Sequence, residues 1–359
     1  MAEKKLMKGN EAFAQAAINA GCRFYFGYPI TPQNEVPEYM SRELKKVGGS
    51  FIQAESELAS INMAYGAAAA GGRVMISSSS PGIALMQEGF SAAAVTQAPM
   101  VAINVMRSGP GIGGIQPAQA DYFQVTRGGG NGDYHIIVYA PKSIQEACEM
   151  IYKAFEVADE YRNPVMICAD GMLGQMMEPV AIPDPIPAMT EEEIFEAKPW
   201  ALTGHKNKRE RNAIKSVFLQ QEVLEDFNLN VLAPKYEKAM RELPEAELID
   251  VEGAEVVFVA YGTTSRVVAE AMDLLAEEGI KCGLIRLKTL WPFPEYAFDA
   301  IGESTKNVIA VELSMGQMIQ DVKLAINGKL PVDLINKVGG VLLDPEEIAE
   351  RTKKIMEVR

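Results

Sequence analysis

Two carboxyls one residue apart, Glu55 and Glu57, stand in QAESELASINMAYGAAAAGG (53–72), where a short apolar run gives way to an Ala- and Met-rich helix. One reading sets both acids against the positive N-terminal end of that helix, worth about 0.3–1 kcal/mol. The other sets one acid in a dry cleft, where burial favours the protonated carboxyl and lets it share a proton with a ring nitrogen of a bound cofactor. Spacing alone favours the first reading. In GYPITPQNE (27–35), Pro29 and Pro32 fix two backbone dihedrals around Thr31. The same pattern suits a turn entering a helix, with Thr31 as N-cap and Pro32 at the first helical position. SSSSPG (77–82) closes one apolar run and opens a helix, where backbone N–H groups can meet a polar ligand. Arg107 ends PMVAINVMR (99–107), placed either to clamp a carboxylate with a planar guanidinium or to form a surface salt bridge. Gly109, Gly111 and Gly114 follow in G-x-G-x-x-G spacing. Pro117 interrupts the helix a dinucleotide site would need, and HIIVYAP ends without an acid, so the segment reads as a flexible loop able to act as a lid. GGGNGD (128–133) is a second mobile stretch.

Elements that would position these groups are legible as short apolar runs: 22–29, 50–54, 73–80, 99–107, 135–140 and 164–171, each closed by Gly, Pro or Ser. Such runs read as buried parallel strands, and the stretches between them, such as 143–162, repeat apolar residues at helical spacing. This alternation predicts a doubly wound α/β domain over 1–180. The helix after residue 53 is apolar almost all round and is expected to be buried. A proline-rich, then acidic, then basic stretch (181–250) reads as a linker with a helix in LAPKYEKAMRELPEAE, and HKNKRER as a solvated surface segment. A second α/β unit with a parallel sheet is expected over 251–359. Four strand ends of the first unit carry polar or glycine-rich groups on one predicted sheet edge, where open α/β sheets bind ligands.

Composition narrows the function. With 34 Lys and Arg against 48 Asp and Glu in 359 residues, the net charge of −14 argues against a nucleic-acid partner. No apolar run reaches a membrane span, and MAEKKLMKGNEA is no signal peptide, so a soluble cytoplasmic protein is expected. Four scattered cysteines and two histidines cannot by themselves build an iron–sulfur or zinc centre, so no metal site is assigned to this chain.

Together, GNEAFAQAAINAG, FGYPITPQNEVPEYM, ESELASINMAYGAAAAGG, SSSSPGIALMQEG, MRSGPG, VAYGTTSR, LIRLKTLWPFP and VIAVELSMGQM resemble the alpha-type subunit of the 2-oxoacid:ferredoxin (acceptor) oxidoreductases over nearly the whole chain. The resemblance implies a thiamine-pyrimidine-binding domain followed by a transketolase-C-terminal-like domain. It also implies oxidative decarboxylation of a 2-oxo acid to an acyl-CoA, with electrons passing through iron–sulfur clusters to ferredoxin. On it, Glu57 matches the acid that hydrogen-bonds the aminopyrimidine ring of thiamine diphosphate, letting the cofactor serve as its own base. Thr31 and Arg107 match positions near the substrate carboxylate. Tyr28, Pro29, Ile30, Ser80, Pro81 and Gly82 resemble lining of the cofactor pocket.

The GDG…N motif that holds Mg²⁺ and diphosphate is missing, which the resemblance places on a separate beta-type subunit. [4Fe-4S] clusters would sit in a ferredoxin-like subunit beside a gamma-type one, leaving this chain inactive alone. SSSSPG is similar to the branch acting on branched-chain 2-oxo acids such as 3-methyl-2-oxobutanoate, with aromatic 2-oxo acids and 2-oxoglutarate open, and with ferredoxin or NAD as final acceptor. Rival readings are a thiamine-dependent dehydrogenase subunit feeding a lipoyl carrier, a scaffold subunit without chemistry, and a nicotinamide dehydrogenase.

Overall fold

A computed structural model describes residues 4–358. Its strands in the first half are Lys5–Lys8 (β1), Phe24–Gly27 (β2), Ser50–Gln53 (β3), Val74–Ser78 (β4), Met100–Met106 (β5), Ile137–Tyr139 (β6), Pro164–Asp170 (β7) and Met177–Val180 (β8). The second half adds Ala246–Ile249 (β9), Val256–Tyr261 (β10), Cys282–Leu287 (β11), Thr289–Trp291 (β12), Asn307–Glu312 (β13) and Val332–Asn336 (β14).

A seven-stranded sheet runs β12-β6-β7-β5-β4-β2-β3. It is parallel except for β12, which lies antiparallel on β6 with Thr289 opposite Tyr139. β5 and β7 are buried along their whole length, because helices cover both faces of a parallel sheet. On one face pack the helices Gly9–Asn19 and Ile144–Tyr161; on the other, Glu57–Ala69 and Gln87–Val95. A second sheet, β14-β13-β10-β11-β9, is parallel apart from β9. β1 and β8 form a separate antiparallel pair. The chain is therefore α/β with two doubly wound, mainly parallel sheets. β9 rises from the stretch read as linker, and β12 crosses from the second half into the first sheet.

One apolar core joins the two sheets, running from Ile76 and Met106 through Tyr122 to Tyr261 and Met318. Polar clips fix their register. Fully buried Gln119 donates to the Tyr261 carbonyl at 2.9 Å and accepts from Leu313 N and Thr264 Oγ1, each at 3.0 Å. Asp170, at the end of β7, accepts from Leu173 N at 2.9 Å, capping the helix Gly171–Gln175, and from the Thr263 hydroxyl across the junction. Asp170→Ala loses both bonds and strands a buried donor, a cost of about 2–4 kcal/mol that thermal unfolding of the assembled protein would register. Burial raises the pKa of Asp170 even though these bonds oppose it. The folded chain therefore binds its proton more readily than the unfolded chain. Its contribution to stability falls as pH rises from the usual carboxylate range through the raised value, a slope absent in Asp170→Asn.

Three local expectations are corrected. The helix after β3 starts at Glu57, with Ser56 as N-cap accepting from Ala59 N at 3.2 Å, so Glu55 lies outside its first turn. That helix is not buried all round: Leu58 and Met63 are 52% and 40% exposed. Thr31 caps nothing, since Gln33 N bonds the Ile30 carbonyl in a turn and the next helix spans Glu35–Glu43. The basic run 205–211 is a surface segment, with five of its seven residues exposed, and one of its members also holds the chain locally. Arg209 lies over the Phe195 ring and donates to the Pro199 and Ala201 carbonyls, stitching the linker to itself.

Candidate active site

In the first sheet the chain passes from β2 outward to β3, then returns to the other side of β2 to form β4. This reversal opens a crevice between the carboxyl ends of β2 and β4, the place where doubly wound sheets take ligands. Tyr28–Thr31 follow β2, Glu57 opens the helix after β3, Ser79–Gly82 follow β4, and Arg107 follows β5. All the residues singled out from the sequence thus stand along one edge.

Glu57 is 6% exposed and has no hydrogen-bond or ion-pair partner among the described residues. A buried carboxyl without a partner is costly unless a ligand supplies one. The helix Ser80–Leu85 approaches it through Gly82, where a methyl group would lie 2.7 Å from Glu57 Oε1 and 2.0 Å from Ser78 Oγ. Ser78 and Ser79 carry further buried hydroxyls without partners. On the elements that flank Glu57, the side chains of Ile52, Leu58, Met63 and Leu85 are exposed, alongside those of Gln53, Glu55 and Asn62.

Arg107 is 7% exposed and forms no salt bridge among the described residues, so it is not the surface ion pair of the alternative reading. Its Nη1 donates to the Thr31 carbonyl and its Nη2 to the Ile112 carbonyl, both at 2.8 Å, while Nε is buried without a partner. The guanidinium thereby ties the β2 turn to the glycine loop, whose Ile112 and Ile115 side chains face solvent. The Thr31 side chain is exposed, and its Oγ1 accepts from Asn34 Nδ2 at 3.4 Å. Beside it opens a cleft of about 490 Å³ walled by Pro32, Ile115, Gln116, Gly171 and Leu342, so both halves of the chain line it. Tyr28 and Pro29 are exposed, and Ile30 and Pro81 half-buried. The Ser80 hydroxyl is engaged with Asp121 Oδ2 at 2.6 Å and accepts from Arg107 N at 3.0 Å.

Contacts chain Ser80 to Arg107 and Arg107 to Thr31, and place Gly82 against Glu57; among the described residues Tyr28 and Pro29 form no hydrogen bond to that carboxyl or guanidinium. Asp121 and Asn104 belong to the same cluster and were not singled out, since neither stands in a motif: Asp121 meets Ser80 across 41 residues of chain. The four cysteines are buried thiols, and burial pushes those of Cys22 and Cys148 up to about 12, which suits packing rather than ligation. No cluster of three or more His, Cys, Asp or Glu suited to a metal ion occurs among the described residues, and no helix there is long and apolar enough to cross a membrane.

A family profile described as pyruvate flavodoxin/ferredoxin oxidoreductase, thiamine diP-bdg, matches residues 15–229, and one described as pyruvate:ferredoxin oxidoreductase core domain II matches 254–348. The chain belongs to the 2-oxoacid:ferredoxin oxidoreductases. It is 46% identical to the ketoisovalerate oxidoreductase subunit VorB of Methanothermobacter marburgensis, over 98% of this chain and 97% of that protein. Identity to the 2-oxoglutarate synthase subunit KorA of Archaeoglobus fulgidus is 36%, covering 97% and 98% of the two chains. Among solved structures, the 2-oxoglutarate:ferredoxin oxidoreductase from Magnetococcus marinus, with 2-oxoglutarate, coenzyme A and succinyl-CoA bound, superposes with a TM-score of 0.81 at 30% identity. That match covers 98% of this chain and 65% of the other. A split-gene transketolase (TM-score 0.58, 14% identity) shares the fold alone.

As a 2-oxoacid:ferredoxin oxidoreductase subunit, the chain carries the thiamine-diphosphate-binding domain of a multi-subunit enzyme. The site fits one edge of that cofactor. Glu57 is a buried carboxyl without a partner among the described residues, as a ring nitrogen requires, and the bare Cα of Gly82 leaves room for that carboxyl and for the Ser78 hydroxyl, both of which a methyl group would displace. Gly82→Ala is expected to weaken thiamine diphosphate binding roughly 5- to 150-fold, the overpacking cost of about 1–3 kcal/mol, as read by cofactor titration of the apo complex.

Proposed function

We propose that this chain is the alpha-type catalytic subunit of an enzyme that oxidises a branched-chain 2-oxo acid, with 3-methyl-2-oxobutanoate as its main substrate. The 2-oxo acid, coenzyme A and two oxidised ferredoxins give the acyl-CoA, carbon dioxide, two reduced ferredoxins and a proton. The observation that carries the reading is Glu57: a nine-tenths-buried carboxyl with no partner among the described residues, at the switch point of a doubly wound sheet. Residues 1–180 form the pyrimidine-binding-like unit, 181–250 the linker and 251–359 the transketolase-C-terminal-like unit. A beta-type subunit supplies the Mg²⁺ and diphosphate site, and gamma-type and ferredoxin-like subunits complete the path to ferredoxin. The exposed large apolar side chains Leu58, Met63 and Leu85, on the helices on either side of Glu57, are in keeping with completion of the site across a subunit interface. The setting proposed is the cytoplasm.

Thiamine diphosphate, when bound, supplies the nucleophilic carbon and the electron sink for loss of carbon dioxide. Glu57 holds a proton against the pyrimidine ring nitrogen. The Thr31 turn and the Arg107 guanidinium orient the substrate carboxylate, Arg107 by exchanging a carbonyl contact for the anion. Ser80, Pro81 and Gly82, after β4, and Tyr28, Pro29 and Ile30, after β2, would line the pocket that holds the cofactor beside Glu57.

The VorB relative is named for ketoisovalerate. The test is anaerobic viologen reduction by the purified complex with coenzyme A and a panel of 2-oxo acids. Highest kcat/KM with 3-methyl-2-oxobutanoate is expected. Preference for 2-oxoglutarate or an arylpyruvate would overturn the substrate assignment, and iron-free turnover through a lipoyl carrier would overturn the class.

A further inference from the structure

Beneath the carboxyl edge, where parallel strands are otherwise apolar, a row of polar groups crosses the sheet. Ser78 of β4 pairs in register with Asn104 of β5, and Asn104 with Cys168 of β7, so the three lie on one face. Above this row sits Asp121, 7% exposed. Two donors converge on its Oδ2: Ser80 Oγ at 2.6 Å and Asn104 Nδ2 at 2.8 Å.

We propose that Asp121 is a positioning residue, which through Ser80 sets Arg107 for the carboxylate of the 2-oxo acid. A hydroxyl has one proton. Given to Asp121, it leaves the Ser80 oxygen free to accept from Arg107 N at 3.0 Å, which pins the residue whose Nη1 reaches the Thr31 carbonyl. Without Asp121, the other acceptor in reach of that proton is the Arg107 carbonyl, 3.2 Å away. The Ser80 side chain would then be held by that one longer bond and free to change rotamer, and the Arg107 backbone N–H would lose its fixed acceptor. Asn104 holds the carboxylate from the sheet side.

Asp121 itself is anchored from the other half of the chain. Around it, Gln119 is bonded to Tyr261 and Leu313, Tyr122 OH donates to Asp321 at 2.7 Å, and Phe123 N donates to Gln317 Oε1 at 2.7 Å. The second half of the chain thus reaches the substrate clamp through residues 119–123, which gives it a role in substrate binding.

This inference rests on the 2-oxo acid reading, and the experiment separates the two. Steady-state kinetics of the assembled complex are measured for Asp121→Ala, Ser80→Ala, the double variant and Asp121→Asn. Each Ala variant should raise KM for the 2-oxo acid about 10-fold, the worth of one hydrogen bond acting on a charged group, with KM for coenzyme A unchanged. Because the two residues act in series, the double variant should be no worse than the single ones. Asp121→Asn keeps an acceptor and should restore KM to near wild type. If Asp121→Ala fails to assemble, Ser80→Ala against Asp121→Asn carries the same comparison. The proposal is overturned by a fall in kcat at unchanged KM, by effects that multiply in the double variant, or by an Asn variant as impaired as Ala. A wild-type complex inactive on every 2-oxo acid would sink both readings, whereas normal wild-type turnover with an unaltered Asp121→Ala KM would sink this one only.

Discussion

Glu57→Gln should lower kcat about 10²- to 10⁴-fold in an otherwise intact complex, the range lost when a positioned acid or base is removed. The amide has nearly the same volume and can still hydrogen-bond a ring nitrogen, so packing against Gly82 survives. It cannot hold and share the proton that a carboxyl would at that nitrogen. Turnover of 2-oxo acid with viologen as acceptor measures the loss, and thiamine diphosphate content checks that the cofactor remains. Unchanged turnover would mean that this chain keeps the fold without the chemistry. Glu55→Gln serves as the internal comparison: Glu55 lies outside the helix and is exposed, so its substitution should leave rates within about 2-fold, as for other surface changes.

Arg107→Ala should reduce kcat/KM for the 2-oxo acid by about 30- to 1000-fold, equivalent to about 2–4 kcal/mol. Two losses combine. The carboxylate loses a charged donor in a dry site, and the carbonyls of Thr31 and Ile112 lose the guanidinium that holds the β2 turn to the glycine loop. Arg107→Lys separates them, because an ammonium keeps the charge but cannot bridge both carbonyls in the plane of a fork. Its value should fall between the two.

Where strands are buried on both faces, the sequence announces them: β4, β5, β7, β10, β11 and β13 are near-continuous apolar runs. The strands that escaped are β1, β8, β9 and β14, which are half-exposed or at sheet edges and so carry mixed composition. Placement of the candidate site along the carboxyl edge was readable, because glycine, proline and serine punctuation marks strand ends. The choice between Glu55 and Glu57 was also latent in the sequence. Ser56 is a strong N-cap type, and starting the helix one residue later turns Glu57 inward and Glu55 outward. Thr31 misled for the same reason: a Thr-Pro pair suggests a cap, but here the chain spends four residues in a turn before the helix at Glu35. Asp121 and Asn104 had no local signal, since their roles arise from contacts made only when the 119–123 segment is clamped to the second sheet.

The most direct test of the whole account is anaerobic isolation of this chain from its host through an affinity tag, with co-purifying chains, iron and thiamine diphosphate quantified. The account predicts a stable complex with partner chains, iron and thiamine diphosphate, which reduces viologen only when a 2-oxo acid and coenzyme A are both supplied. A lone chain, free of iron and thiamine diphosphate and unable to gain activity from any partner fraction, would contradict it.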